Sequence, residues 1–169
     1  MVECNGRYTI NTGYKIAMME LLHTDRFHVE EEWKRIWKVN SHHKARNLLW
    51  RICRGCVPTR LRLQSRHVQC EVICPSCDTV VEDDWHAFVG CTVACESWYW
   101  AGLSIVRQSR VGTVSSLADF VFDICRLESR DIAGRVASLL WKIWAARNDT
   151  IWNDAHHRST SIGRTTLDA

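Results

Sequence analysis

Four residues near the middle of the chain have the types and the spacing of a zinc site. Two residues separate Cys74 from Cys77, eight separate Cys77 from His86, and four separate His86 from Cys91. Two thiolates on one tight turn reach the same ion, and three sulfurs with one imidazole nitrogen suit tetrahedral zinc rather than calcium or magnesium. Because protein atoms fill all four positions, the pattern predicts a structural zinc ion with no open position for activating water.

The segment that carries these residues, 70–95, is rich in Cys, Asp, Glu, Ser and Thr and has little apolar periodicity. Such a segment buries too little apolar surface to fold alone, so we expect its folding to be coupled to metal binding. The N-terminus lacks a basic stretch followed by an apolar one, and no run of 18 apolar residues exists. We therefore expect an intracellular protein that is not secreted and has no membrane partner.

A second set of cysteines also has a zinc-like spacing. Cys53 and Cys56, taken with Cys74 and Cys77, form two C-x2-C pairs separated by 17 residues. Cys53, however, falls on the apolar stripe of a predicted helix, where it is explained as a small core residue. This set also leaves the histidine and the last cysteine of the first pattern unexplained. Two further cysteines flank the first pattern and stay open as substitute ligands: Cys70 and Cys95.

Apolar spacing predicts a mostly α fold, a helical domain with a small zinc-stapled segment inserted between helices. Helices are predicted over 14–22, 30–39, 59–66, 98–106 and 131–152, with one more from an N-cap at Ser41 to Gly55 and one from the capping box Ser116–Asp119. A polar linker is predicted over 107–115. The residues after 153 are polar, and we expect a flexible tail.

Ten basic residues lie between positions 34 and 66 with no Asp or Glu among them, while the rest of the chain is net acidic. A basic stretch on an otherwise acidic protein favours a polyanionic partner, and RNA or DNA is the natural candidate. Trp37 and Trp50 are interleaved with these cations and are suited to stack on unpaired bases. The alternative is a solvated helix face that pairs with the acidic runs of the chain. The candidate nucleic-acid contacts are Lys44, Arg46, Trp50, Arg51, Arg54, Arg60 and Arg62.

No set of residues has the pattern of a catalytic site. The tightest carboxylate cluster, Glu82-Asp83-Asp84, lies between zinc ligands and is interpreted as a solvated loop. The histidine pairs His42-His43 and His156-His157 have no spacing that ties them to a nucleophilic cysteine. We therefore expect a protein that is not an enzyme and has no small-molecule substrate.

Several motifs around the zinc pattern occur in the order seen in a known family. They are Trp33-Lys34-Arg35-Ile36-Trp37, Asn47-Leu48-Leu49-Trp50-Arg51-Ile52, Gly55-Cys56-Val57-Pro58-Thr59, the four zinc residues, and Trp98. With this order the chain resembles the zinc-binding domain of plant non-LTR (LINE-type) retrotransposon reverse transcriptases. Upstream, Gly6-Arg7-Tyr8-Thr9-Ile10 resembles the lead of that domain, and downstream Leu140–Asn148 resembles the helix that precedes an RNase H domain.

The resemblance implies a structural-zinc module that contacts nucleic acid through its basic helix and has polymerase or RNase H domains as neighbours. It also implies a nuclear or cytoplasmic location. It implies a lead over 1–29, a zinc-binding domain over 30–106, a helical extension over 107–153 and a tail over 154–169. Because neither neighbouring domain is present, we expect a fragment or a domesticated remnant. The alternative function is a zinc-stapled protein-interaction or scaffold module that does not bind nucleic acid.

Overall fold

Helices make up most of the computed structural model, which describes residues 30–166, with side chains from Trp33 onward. The predicted lead over 1–29, with its helix over 14–22, lies outside the described residues. The helices are α1 (Glu30–Lys38), α2 (His43–Cys53), α3 (Arg60–Gln64), α4 (Thr92–Trp100), α5 (Ser104–Gln108), α6 (Leu117–Leu127), α7 (Arg130–Asn153) and α8 (Ser159–Arg164). A π-helical turn, His86–Gly90, precedes α4, and one isolated antiparallel bridge joins Ile73 to Val81. The predicted mostly α fold is confirmed. None of the described helices combines the length and the apolar character needed to cross a membrane.

The predicted apolar stripe on α2 faces the core. Ala45, Leu48, Leu49 and Ile52 are all buried. This stripe packs against α6 and α7. Since α6 and α7 follow the zinc segment in the chain, the helices on both sides of that segment share one hydrophobic core.

Local hydrogen bonds and backbone geometry determine where α2 begins and ends. The predicted N-cap, Ser41, is wrong by one residue, because His42 caps the helix. Its Nδ1 atom accepts a hydrogen bond from the backbone N–H of Ala45, in the first turn of α2, at 3.2 Å. Gly55 ends the helix as predicted, in the left-handed conformation with φ of +59°. There the backbone N–H of Cys56 donates to the carbonyl of Arg51 at 2.9 Å, which satisfies an otherwise free carbonyl.

Helices α6 and α7 begin at serine N-caps. The Ser116 hydroxyl accepts a hydrogen bond from the backbone N–H of Asp119 at 3.1 Å, as the capping box predicts. The Ser129 hydroxyl accepts one from Ile132 at 3.2 Å. The long helix α7 packs against α2, α4, α6, α8 and the π-helical turn, so it is the element against which the others assemble.

The segment after the zinc residues differs from the prediction of one helix over 98–106. The chain forms α4 first, turns at Gly102, and then forms the short α5. The predicted polar linker over 107–115 contains a buried cation, Arg110. Its guanidinium donates to Asp123 of α6 and to Glu128, the residue that directly follows α6, at 2.8 Å each, so the linker is fixed to the helical core.

The predicted flexible tail is wrong for residues 159–164, because these residues form α8, which packs on α4. Ile162 and Gly163 are buried there. A Cβ atom built on Gly163 would lie 2.6 Å from the carbonyl oxygen of Ser97 and 2.6 Å from the Cβ of Trp100. Only glycine permits the two backbones to approach this closely.

Candidate metal centre

Cys74 and Cys77 lie on a tight turn that an antiparallel bridge closes. The backbone N–H of Cys74 donates to the carbonyl of Val80 at 2.8 Å, and that of Asp78 donates back to the carbonyl of Cys74 at 2.9 Å. Asp78 has a left-handed backbone, with φ of +53°. An aspartate tolerates this conformation better than most residues, so the chain can reverse immediately after the second cysteine.

His86 and Cys91 lie at the two ends of the π-helical turn. The backbone N–H of Cys91 donates to the carbonyl of His86, five residues back, at 2.8 Å. In an α-helix, residues five apart differ by about 140° around the axis, and the wider π-turn reduces this angle. Gly90 within this turn needs no special backbone freedom, because its φ is not in the left-handed region and an added Cβ would meet only ordinary contacts. The π-turn itself brings the two ligands together.

The four side chains converge at distances that fit a tetrahedral ion. Their ligand atoms all lie within 4.8 Å of one another. The sulfurs of Cys74 and Cys91 are 3.9 Å apart, and the Cys77 sulfur is 3.3 Å from Nε2 of His86. Zinc bonds of 2.0–2.3 Å in a tetrahedron place two sulfurs about 3.8 Å apart, and a sulfur and a nitrogen about 3.6 Å apart. The donor set and its spacing therefore fit zinc.

The surroundings of the cluster favour a structural role for the ion. Cys74 and Cys91 are buried, and Cys77 and His86 are partly buried. The hydroxyl of Thr79 donates to the Cys77 sulfur at 3.3 Å. A hydrogen bond of this kind orients a ligand from outside the coordination shell. Four protein ligands close the shell, as in structural zinc sites.

Cys74 and Cys91 shift one another's pKa in opposite directions. The Cys74 thiol donates to the Cys91 sulfur, which raises the pKa of Cys74, and burial raises it further. Accepting this bond lowers the pKa of Cys91, and the backbone N–H groups of Ala94 and Val93 lower it as well. These N–H groups have no carbonyl partner within the helix, because they lie in the first turn of α4, for which Cys91 is the N-cap. Helix α4 therefore favours the thiolate form of Cys91, which is the form that binds a metal.

The other cysteines of the described segment do not join the cluster. The group of four is the one set of metal-binding side chains that converges among residues 30–166. Cys56 of the rival set is exposed, and its sulfur lies against the carbonyl of Arg54 at 3.3 Å. Cys70 lies against the carbonyl of Arg60 at 3.7 Å, and Cys95 lies against the carbonyl of Val89 at 3.2 Å. Geometry therefore favours the quartet with His86 over the rival pairs.

The acidic run between the ligands is not the solvated loop that the sequence suggested. The Asp83 carboxylate accepts the backbone N–H of His86 at 2.6 Å and so fixes the start of the π-turn. The Asp84 carboxylate accepts the hydroxyl of Thr59 at 2.8 Å and pairs with Arg62. Both carboxylates therefore hold the ligand-bearing segment in place.

Glu82 differs most from the predicted solvated loop. It is fully buried, and both of its oxygens bind the guanidinium of Arg147 on α7, from Nε at 2.8 Å and from Nη2 at 2.5 Å. The same carboxylate accepts the backbone N–H of Arg60 at 2.8 Å. The Arg147 guanidinium lies 4.6 Å from the ring centroid of Trp144, which in turn stacks on Phe88 at 5.6 Å. Glu82 thus ties the zinc segment to both α3 and α7.

The predicted nucleic-acid contacts divide into two groups. Lys44 and Arg51 on α2, and Arg54 directly after it, make no ion pair among the side chains that the structure describes. Arg46 donates through Nη1 to the backbone carbonyl of Trp37 at 3.2 Å. Trp50 is 37% exposed. This group lies on the side of α2 away from the core.

The second group is engaged within the chain. Arg60 binds the carbonyl of Ile73 and lies 3.5 Å from the Glu71 carboxylate. Arg62 pairs with Asp84. These two arginines hold the zinc segment to α3, so they are less suited to bind phosphate than the cations of α2.

Comparison of the sequence with models of known protein families identifies one family. The model for the zinc-binding domain in reverse transcriptase matches residues 8–98, which is more than half of the chain. No curated protein and no solved structure matches the chain. The matched segment contains all four converging ligands, the basic helix α2 and the acidic run that holds the ligands in place. By this match, the chain belongs to the family of zinc-binding domains found in reverse transcriptases.

Proposed function

We propose that this chain is a zinc-stapled module of a plant LINE-type reverse transcriptase polyprotein, and that it binds nucleic acid through α2 without being an enzyme. One observation carries the nucleic-acid part of this proposal. Lys44, Arg51 and Arg54 lack anionic partners among the described side chains, in a stretch that contains no acidic residue. Unpaired cations on one rigid helix attract a phosphate backbone.

Zinc has a structural role in this proposal. Cys74, Cys77, His86 and Cys91 would hold the ion, and the ion would supply the stability that the polar segment lacks. The acidic run then fixes α3 to the zinc segment, and α2 packs on the shared core. The thiolate ligands suit a reducing compartment, in keeping with a nuclear or cytoplasmic location. The natural neighbours of such a module are polymerase and RNase H domains.

The nucleic-acid proposal is tested by removing two cations, one on α2 and one directly after it. We expect the double variant Lys44→Gln/Arg54→Gln to bind a fluorescent oligonucleotide more weakly than wild type. The slope of log affinity against log salt should become shallower by roughly two, because each phosphate contact contributes about 0.7–0.9 to it. The matched control is Arg130→Gln/Arg158→Gln, which removes the same charge from exposed positions on α7 and before α8. Equal binding by wild type and both double variants would contradict the proposal.

A protein-interaction module is the second candidate. Among the described residues outside the zinc segment, four large apolar side chains are strongly exposed: Tyr99 at 67%, Ile105 at 81%, Leu127 at 64% and Trp152 at 80%. Exposed apolar groups of this size favour contact with another protein when they form a continuous patch. Sedimentation at rising protein concentration separates the candidates. Assembly without oligonucleotide binding would favour the interaction module.

A further inference from the structure

Trp37 and Trp50 are exposed, unlike most tryptophans of the chain. Trp37 at the end of α1 is 41% exposed, and Trp50 on α2 is 37% exposed. Trp98 and Trp144, by contrast, are buried in the core. An indole ring that stays in water gives up the favourable free energy of burial, so two such rings beside a basic helix call for an explanation.

Arg46 links the end of α1, where Trp37 lies, to α2, which carries Trp50. Arg46 lies one helical turn before Trp50 on α2, so the two side chains are neighbours on the helix surface. Its Nη1 donates to the backbone carbonyl of Trp37 at 3.2 Å. Its Nε is buried and has no hydrogen-bond partner in the protein. Arg46 is thus bonded to the backbone of Trp37 and neighbours Trp50 on the helix surface, and we call these three residues the tryptophan edge.

Cations flank the tryptophan edge on both helices. Lys34 and Lys38 of α1 are exposed, as are Lys44 of α2 and Arg54 directly after α2. None of these four makes an ion pair among the described side chains. Flat aromatic surfaces bordered by unpaired cations are the combination that single-strand-binding proteins use, since bases stack on the rings while phosphates meet the charges.

We propose that the tryptophan edge binds single-stranded nucleic acid, with unpaired bases stacked on Trp37 and Trp50. This inference rests on the proposed function and specifies its ligand class. A duplex hides the faces of its bases within the stack, so exposed indoles add nothing to its binding, and only the cations contribute. A single strand gains from both the rings and the cations.

The test distinguishes a site that needs a flat aromatic ring from one that needs only an apolar side chain. Binding of a 12-nucleotide oligo-U or oligo-dT strand and of a 12-base-pair duplex would be measured by fluorescence anisotropy at one salt concentration. We expect Trp37→Leu and Trp50→Leu each to weaken single-strand binding by about tenfold, since stacking contributes about 1–3 kcal/mol per base. Duplex binding should stay unchanged. Trp37→Phe and Trp50→Phe keep a flat ring and should retain most of the single-strand affinity.

Trp152→Leu is the control, because Trp152 is 80% exposed but lies at the far end of α7. Circular dichroism and zinc content, equal to those of wild type, establish that each variant is folded. If the leucine variants bind single strands as wild type does while Lys44→Gln/Arg54→Gln binds them weakly, the tryptophan edge is not a stacking site, although the proposed function stands. If wild type binds neither probe, both proposals are wrong.

Discussion

At the scale of single residues, the metal cluster predicts that some cysteines are needed for zinc binding and others are not. Replacing Cys91 by Ser or His86 by Ala should reduce bound zinc from about one ion per chain to almost none, because each removes one of four converging ligands. Cys56→Ser is the matched control, since Cys56 is exposed and outside the cluster. Elemental analysis of protein purified under reducing conditions gives the answer. Zinc that disappears with Cys56 and survives without Cys91 would move the site to the rival cysteine pairs.

The buried pair of Glu82 and Arg147 gives a second prediction at the same scale. Glu82→Gln leaves the guanidinium buried without an anion and should lower the free energy of unfolding by about 3–5 kcal/mol. Adding Arg147→Met to this variant should recover a large part of the loss, because the unpaired charge is then gone. Urea unfolding with saturating zinc measures both. Equal stability of the Glu82→Gln variant and wild type would show that the pair is not formed in solution.

At the scale of elements, the contact between α4 and α8 depends on Gly163. Gly163→Ala should lower the free energy of unfolding by about 1–3 kcal/mol, because the new Cβ would overlap the backbone of α4 and force the helices apart. Limited proteolysis should then cut the C-terminal residues sooner than in wild type. Ser161→Ala serves as the control, since Ser161 is exposed on the same short helix. If both variants resist proteolysis equally, α8 is not held by this close contact.

At the scale of the whole molecule, the zinc segment and the helical core should unfold as one unit. The ligands hold the segment, Glu82 joins it to α7, and α7 packs on α2 and α6. Removing zinc with a chelator should therefore reduce hydrogen-exchange protection in α7 as well as in residues 74–91. Adding zinc back should restore both. Loss of protection confined to residues 74–91 would mean that the core is stable without the metal.

How much of this molecule can be predicted from sequence depends on the range of the interactions. Local signals were sufficient for the stripe on α2 and for the serine cap at Ser116, because periodicity and caps involve residues within one or two turns. The ion pair of Glu82 with Arg147 joins positions 65 apart, and no local pattern marks such a partner. The sequence did contain one indication that Arg147 has a buried partner. Arg147 follows Ile143 and Trp144 at the spacing of the apolar stripe on α7, so a charge there implied a buried partner.

Two other features escaped prediction for a different reason. The close packing of α8 depends on a glycine whose value is visible only when α4 lies against it. The π-helical turn has a hydrogen-bond pattern that side-chain periodicity over five residues cannot distinguish from an α-helical turn. Both depend on backbone geometry rather than on side-chain type.

The π-helical turn also constrains how this chain can change length during evolution. The spacing between His86 and Cys91 is set by one backbone hydrogen bond that spans five residues, so an insertion or deletion there would carry the last ligand to another side of the turn. Related chains should therefore keep four residues between the histidine and the final cysteine.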